Sequence, residues 1–105
     1  MADLERATGS VGARLRKARK LAGLSAREVD RRAGLAEGHT SIIEARNKSG
    51  RRPVGLEAVT ALRLAAVLGA SVEWLVLGTG TAPTADEVRA ATARGPQGND
   101  PEAAA

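Results

Sequence analysis

The chain has 105 residues and a mass of 10.8 kDa, which allows one small domain with tails and excludes a multidomain enzyme. It has no cysteine and only one aromatic residue, Trp74, so disulfide frameworks and cysteine zinc sites are excluded. The net charge of +4 favours polyanionic partners over basic ones, although a solubilising surface explains the charge equally simply.

The chain begins with an expected arm and a first helix. Residues 1–10 have no apolar period and are predicted to form a flexible arm. Residues 11–22 repeat apolar side chains every three to four positions, which is the pattern of an amphipathic helix. Four cations belong to its other face, where a solvated surface is the simplest interpretation: Arg14, Arg16, Lys17 and Lys20.

Two more short helices are predicted after it. Ser25 and Glu28 have the spacing of a capping box, in which each side chain bonds the backbone amide of the other residue. Residues 37–45 are predicted to form the third helix, with Thr40 and Ile43 facing the core. The turn between the helices contains a glycine, which suits a helix-turn-helix.

A basic loop and two further helices complete the predicted domain. Residues 46–53 have no apolar side chain and contain Gly and Pro, so they are expected to form a loop. Residues 55–68 form the longest predicted helix, and Ser71 can cap a short helix over 72–77. The predicted fold is therefore all-α, with five helices in a domain over residues 11–78.

Residues 79–105 are expected to be a mostly disordered tail. They contain several Pro and Gly residues, offer almost nothing to bury, and carry two basic and four acidic side chains from residue 81 onward. Within this tail, residues 85–94 can form a short helix, marginal by itself because helix nucleation is costly. An acidic, Ala-rich segment of this kind can also fold on binding a protein partner.

These features, in this order, resemble the helix-turn-helix domain of the phage repressor and Cro class (XRE-like). The residues that carry the resemblance are Leu24-Ser25-Ala26-Arg27-Glu28-Val29, Gly34-Leu35, Ile43-Glu44 and Leu68-Gly69-Ala70-Ser71-Val72-Glu73-Trp74-Leu75. The resemblance implies a five-helix, lambda-repressor-like DNA-binding fold whose third helix enters the major groove. It further implies a transcriptional regulator, a repressor in the first instance, that binds double-stranded DNA as a homodimer.

The resemblance also implies roles for individual residues. The residues that would face base edges, with His39 at the rim, are Glu37, Gly38, Ser41 and Ile42. The residues that would contact phosphates are Arg27, Asn47, Lys48, Arg51 and Arg52. Arg19 and Glu44 match an ion pair that commonly locks the recognition helix of this family against the first helix.

Several positions depart from the family pattern. Ala26 stands where a phosphate-binding Gln is common, Asp30 stands where a small residue packs against the turn, and Ala36 supplies no side-chain N-cap. The expected reading face also lacks the Arg, Lys, Asn and Gln side chains that make bidentate contacts to guanine and adenine. Glu37 could accept from a cytosine amino group, and Ile42 could touch a thymine methyl.

A second class of function therefore stays open. The same fold could be a protein-interaction module, antitoxin-like or anti-regulatory, whose partner meets the third helix and the tail. Single-stranded nucleic acid is disfavoured, because the one aromatic side chain, Trp74, is expected in the core and not on a base. The two classes differ in whether the chain binds duplex DNA in a strongly salt-dependent way.

Catalysis, cofactors and membranes find no support in the sequence. His39 and Ser41 lie on different faces of a helix, and a lone His without clustered carboxylates cannot build a zinc site. No apolar run approaches the ~18 residues of a membrane span, and the acidic start of the chain is unlike a signal peptide. We expect a cytoplasmic protein that is not an enzyme and holds no metal or cofactor.

Overall fold

The computed structural model describes residues 9–48 and 56–94 of the chain. In these two ranges all the regular secondary structure is helical, which confirms the all-α prediction. The helices are α1 (Val11–Ala22), α2 (Ala26–Ala33), α3 (His39–Arg46), α4 (Ala58–Leu68), the π-helical turn α5 (Glu73–Leu77) and α6 (Ala85–Arg94).

α1 has the predicted bounds, and α2 begins directly after the predicted cap Ser25, whereas the bounds of α3 and α4 differ from the prediction. α3 begins at His39 and ends at Arg46, compared with the predicted 37–45. α4 begins at Ala58, with Glu57 at its N-cap, instead of at residue 55, which lies outside the described ranges. None of the helices in the described ranges is both long enough and apolar enough to span a bilayer.

Ser10 belongs to the folded unit and not to the arm in which it was predicted. Its side chain is buried, and its hydroxyl accepts a hydrogen bond from the Ala13 amide at 3.1 Å. This is the N-cap of α1, because it satisfies one of the amides that have no partner inside the helix. Residues 1–8 of the predicted arm lie outside the described ranges.

The core lies where α1, α4 and α5 meet, with α2 and α3 against its sides. α1 contacts α3, α4, α5 and α6, whereas α2 contacts α3 and α4. The largest fully buried apolar side chains are Leu15, Val29, Ile43, Leu64, Leu68, Trp74, Leu75 and Val88. Trp74 therefore fills the core, as the sequence led us to expect.

Arg14 was predicted on the solvated face of α1 but is buried, with 3% of its surface exposed. Its Nε donates to the Leu75 carbonyl at 2.8 Å and its Nη2 to the Val76 carbonyl at 3.0 Å, and burial lowers its pKa. Arg14 follows Val11 by three residues and precedes Ala18 by four, so it lies beside the apolar stripe. Its guanidinium thereby ties α5 to α1.

The prediction that the end of the chain has almost nothing to bury is wrong for α6. The helix starts with a complete capping box, in which Thr84 Oγ1 accepts from the Glu87 amide and Glu87 Oε1 accepts from the Thr84 amide. Val88 and Ala91 are buried, and α6 contacts α1 and α4. Packing supplies the stability that an isolated helix would lack, so the helical unit continues past residue 78 to Arg94; residues 95–105 lie outside the described ranges.

We predict that Val88→Ala lowers the free energy of unfolding by about 1–3 kcal/mol, because it removes two buried methyl groups between α6 and the core. Arg89→Ala, at the next position on α6 but exposed, should change it by less than about 0.5 kcal/mol. Urea unfolding followed by circular dichroism and by Trp74 fluorescence measures both. Equal effects of the two substitutions would show that α6 is not part of the folded unit.

Candidate nucleic-acid interface

The N-terminus of α3 is capped by a side chain from α2. Asp30 is 2% exposed, and its Oδ2 accepts from the Gly38 amide and its Oδ1 from the Thr40 amide, both at 2.8 Å. Amides in the first turn of a helix have no partner within that helix, and a negative charge there also interacts favourably with the helix dipole. Asp30 thus replaces the local cap that Ala36 cannot provide.

Gly38 is the N-cap of α3 and was predicted to face bases. Its φ of 89° lies in the left-handed region, which is costly for residues with a side chain. Its amide is bonded to Asp30, so it offers a base neither a side chain nor a free backbone donor. The turn between α2 and α3 needs this residue for its conformation, and its position opposite a base edge stays a prediction.

Arg19 and Glu44 form the ion pair that the family resemblance implied. Nε and Nη2 of Arg19 donate to Oε2 and Oε1 of Glu44 at 2.8 and 3.1 Å, and Nη1 donates to the Leu24 carbonyl at 3.0 Å. The hydrogen bonds that Arg19 donates to Glu44 raise the pKa of Arg19. Both side chains are largely shielded from water, so removing one would leave the other charge poorly solvated. The pair therefore fixes the C-terminal half of α3 against α1.

A close approach at Gly12 brings α1 against the end of α3. The Gly12 amide donates to the Asn47 carbonyl at 2.8 Å, and a Cβ on Gly12 would lie 2.5 Å from the Glu44 carbonyl oxygen. Asn47 is 3% exposed, and its Nδ2 donates to the Ile43 carbonyl at 2.8 Å. The prediction of Asn47 as a phosphate contact is wrong, because this side chain closes the C-terminus of α3.

Four residues of α3 are exposed, Ser41, Ile42, Ala45 and Arg46, and we name the three uncharged ones, Ser41, Ile42 and Ala45, the α3 ridge. Ile42 is 52% exposed, whereas Thr40 and Ile43, one residue to either side of the ridge positions, are buried as predicted. The predicted base-facing residues Ser41 and Ile42 therefore share one accessible surface. None of the three ridge side chains takes part in the contacts that hold α3 in place.

Open depressions lie on both sides of the α3 ridge. One, of about 380 Å³, separates the ridge from the start of α1 and is lined by the exposed side chains of Arg16 and Lys48. The other, of about 270 Å³, lies beside Ile42 and is lined by half-buried His39 and exposed Arg46. Cations thus border the ridge on either side, as a helix lying between two phosphate backbones requires.

Arg16 and Arg46 were not among the predicted site residues. Arg46 follows Ile42 by four positions, so helical spacing alone places the two on one face of α3. Arg16 joins the site only because α1 crosses α3 at Gly12, and the sequence carries no local signal for this crossing. Arg51 and Arg52, predicted to bind phosphates, lie outside the described ranges.

The predicted phosphate contact Arg27 is paired with the predicted base contact Glu37. Arg27 Nη2 lies 3.2 Å from Glu37 Oε1, and the two side chains are 78% and 74% exposed. An exposed ion pair contributes on the order of 0–1 kcal/mol, so a stronger ligand for either group can break it. Glu37 nonetheless adds a negative charge at the start of the ridge.

Two arginines neutralise Glu28 on α2. Arg31 donates from Nε to Oε1 at 3.1 Å and from Nη2 to Oε2, and Arg32 Nε donates to Oε2 at 2.8 Å. These hydrogen bonds lower the pKa of Glu28 from 4.5 to about 2. The predicted capping box forms only in part: the Ser25 hydroxyl accepts from the Glu28 amide, but the carboxylate is occupied by the arginines. Arg32 also donates to the Thr92 carbonyl and so joins α2 to α6.

The described ranges contain no cluster of three His, Cys, Asp or Glu side chains that could hold a metal ion. The surface around α3 is open, and its chemistry is that of cations around a small, partly apolar ridge. Comparisons with known proteins found no matching family model, no matching curated protein and no matching solved structure. The geometry of this surface is therefore what indicates the function.

We predict that Asp30→Ala lowers the free energy of unfolding by about 1–3 kcal/mol, because two buried amides lose their charged acceptor. Asp30→Asn should cost less, since one acceptor oxygen remains. The matched control is Asp86→Ala, which removes an exposed carboxylate and should cost under about 0.5 kcal/mol. Urea unfolding gives the energies, and hydrogen exchange at Gly38 and Thr40 locates the effect; the same energy for Asp30→Ala and Asp86→Ala would contradict the assignment.

Proposed function

We propose that the chain is a DNA-binding regulator that places α3 in the major groove of duplex DNA. In this proposal the α3 ridge faces the base edges, while Arg16, Arg46 and Lys48 face the flanking phosphates. The observation that carries it is the ridge itself, a convex helix surface bordered by cations in both depressions. The lambda-repressor-like arrangement, the repressor role, the homodimer and the cytoplasmic location implied by the family resemblance belong to the same proposal.

Different residues of α3 hold the helix in place and form its exposed surface, and this separation supports the proposed function. Asp30 accepts from backbone amides at the start of α3, and Asn47 and the Arg19–Glu44 pair hold its end. The ridge is therefore free to meet a ligand without breaking a structural contact. A single helix is also the element that the major groove admits.

Charge limits the strength of the proposed binding. Glu37 opposes phosphates from the start of the ridge, and its pairing with Arg27 reduces the net positive charge at that end. Arg16, Arg46 and Lys48 form no ion pair with other residues of the described ranges, so they are the cations available for phosphates. We therefore place the phosphate contacts around the C-terminal end of α3 and the first half of α1.

The second candidate is a protein-interaction module that keeps this fold. The observation that favours it is the composition of the ridge, in which Ser41, Ile42 and Ala45 include no side chain able to make a bidentate contact to a base. A protein partner would cover Ile42 and engage Glu37 or Arg46. This function requires no salt-dependent affinity for duplex DNA.

Fluorescence anisotropy tests the proposal by measuring the affinity for labelled duplexes of random sequence at salt concentrations from about 50 to 200 mM. Each phosphate contact contributes about −0.9 to the slope of log K against log salt, so the double variant Arg46→Ala, Lys48→Ala should flatten the slope by about 1.8. Arg89→Ala removes a cation of α6 and is the matched control, with an unchanged slope expected.

Two results would count against DNA binding through α3. Duplex affinity that is absent or independent of salt would favour the protein-interaction module. If Arg89→Ala flattened the slope by as much per cation removed as the double variant Arg46→Ala, Lys48→Ala, the molecule would bind through its overall charge, with no preferred surface.

A further inference from the structure

We infer that the α3 ridge selects duplexes that carry C5-methyl groups in the major groove, and that Ile42 is the residue that reads them. This inference rests on the proposed DNA-binding function and assigns it a chemical preference. Thymine and 5-methylcytosine carry a methyl group at the same ring position, so the two bases offer the ridge the same chemistry.

Ile42 is an exposed apolar side chain on the surface that is proposed to meet DNA. Four large apolar side chains in the described ranges are strongly exposed, and Ile42 is the member of this set on α3. The other three, Val59, Leu62 and Leu77, belong to α4 and α5. When a partner's apolar group covers an aliphatic side chain that was exposed to water, the free energy of binding becomes more favourable.

The α3 ridge has few polar side-chain atoms that could bond to a base. Ser41 and Ala45 are short, and Ala45 has no polar side-chain atom. Hydrogen-bonded readout at the centre of the ridge is therefore limited to one hydroxyl, while Ile42 is the largest ridge side chain. In the major groove, the C5-methyl is the base-edge group with which an aliphatic side chain makes its favourable contact.

The depression beside Ile42 has both apolar and polar lining residues. Its wall is mostly apolar, and Ala36 and Ile42 contribute to it, whereas Glu37, His39 and Arg46 contribute the polar part. A methyl group on a base edge can enter such a site while the polar atoms of the same base pair meet the polar side chains. The site thus suits a base edge with one apolar corner.

Both the Ile42 side chain and the α3 backbone that carries it are rigid. Ile42 is β-branched, so few side-chain rotamers are open to it on a helix, and little entropy is lost when it is covered. α3 is fixed at its first turn by Asp30 and near its end by the Arg19–Glu44 pair. The methyl contact therefore needs no rearrangement of the helix.

The test compares four pools of labelled random-sequence duplexes, made by primer extension with thymidine or deoxyuridine and with deoxycytidine or 5-methyldeoxycytidine. At one fixed salt concentration, we expect affinity to rise about fourfold for each methyl group that Ile42 contacts. Ile42→Ala should remove this difference and keep the salt dependence, because the phosphate contacts are untouched. Val59→Ala, which truncates another exposed β-branched side chain on α4, should retain the preference.

The outcomes distinguish failure of the methyl preference from failure of DNA binding. Salt-dependent binding with equal affinity for methylated and unmethylated pools, or a preference that survives Ile42→Ala, would overturn the inference and leave the proposed function standing. Absence of binding to every pool would overturn both. A preference lost in Ile42→Ala supports the inference, and the pool that shows it, thymine or 5-methylcytosine, identifies the source of the methyl group.

Discussion

The structure around α3 depends on the carboxylate of Asp30. It comes from one helix and satisfies the amides that begin the next, so α2 and α3 form a rigid unit across a turn that has no local cap. At the other end of α3, the Arg19–Glu44 pair and the close approach at Gly12 fix the helix to α1. Because these contacts all lie on the inner side of α3, the side chains of the α3 ridge are not needed to hold the helix in place. They can therefore contact a ligand without loss of a structural contact.

Local signals made much of the fold predictable. Ser25 bonds a backbone amide in its own first turn, and Ser71 does the same for α5, so their roles can be read within four residues of sequence. The buried polar contacts could not be predicted in this way. Arg14 bonds carbonyls about sixty residues away, and Asp30 acts across a turn, so their roles depend on a tertiary arrangement that no local pattern specifies.

The candidate site shows the same division. Ser41 and Ile42, which the resemblance to repressor domains placed opposite base edges, do lie on the exposed surface of α3. Asn47 was assigned to phosphate because a polar residue after a recognition helix is expected in a loop, yet it caps the helix. Arg16 could not be found without the crossing of α1 and α3. The resemblance to repressor domains supplied Arg19 and Glu44, two residues that periodicity alone would leave as ordinary surface charges.

The most direct measurement of the central claim is a nuclear magnetic resonance titration of the ¹⁵N-labelled chain with duplex DNA. If α3 is the element that enters the groove, the largest changes in chemical shift will occur at the amides of Ser41, Ile42, Ala45 and Arg46, and the indole signal of buried Trp74 will stay in place. Changes confined to α4 and α6, with α3 unaltered, would contradict the account.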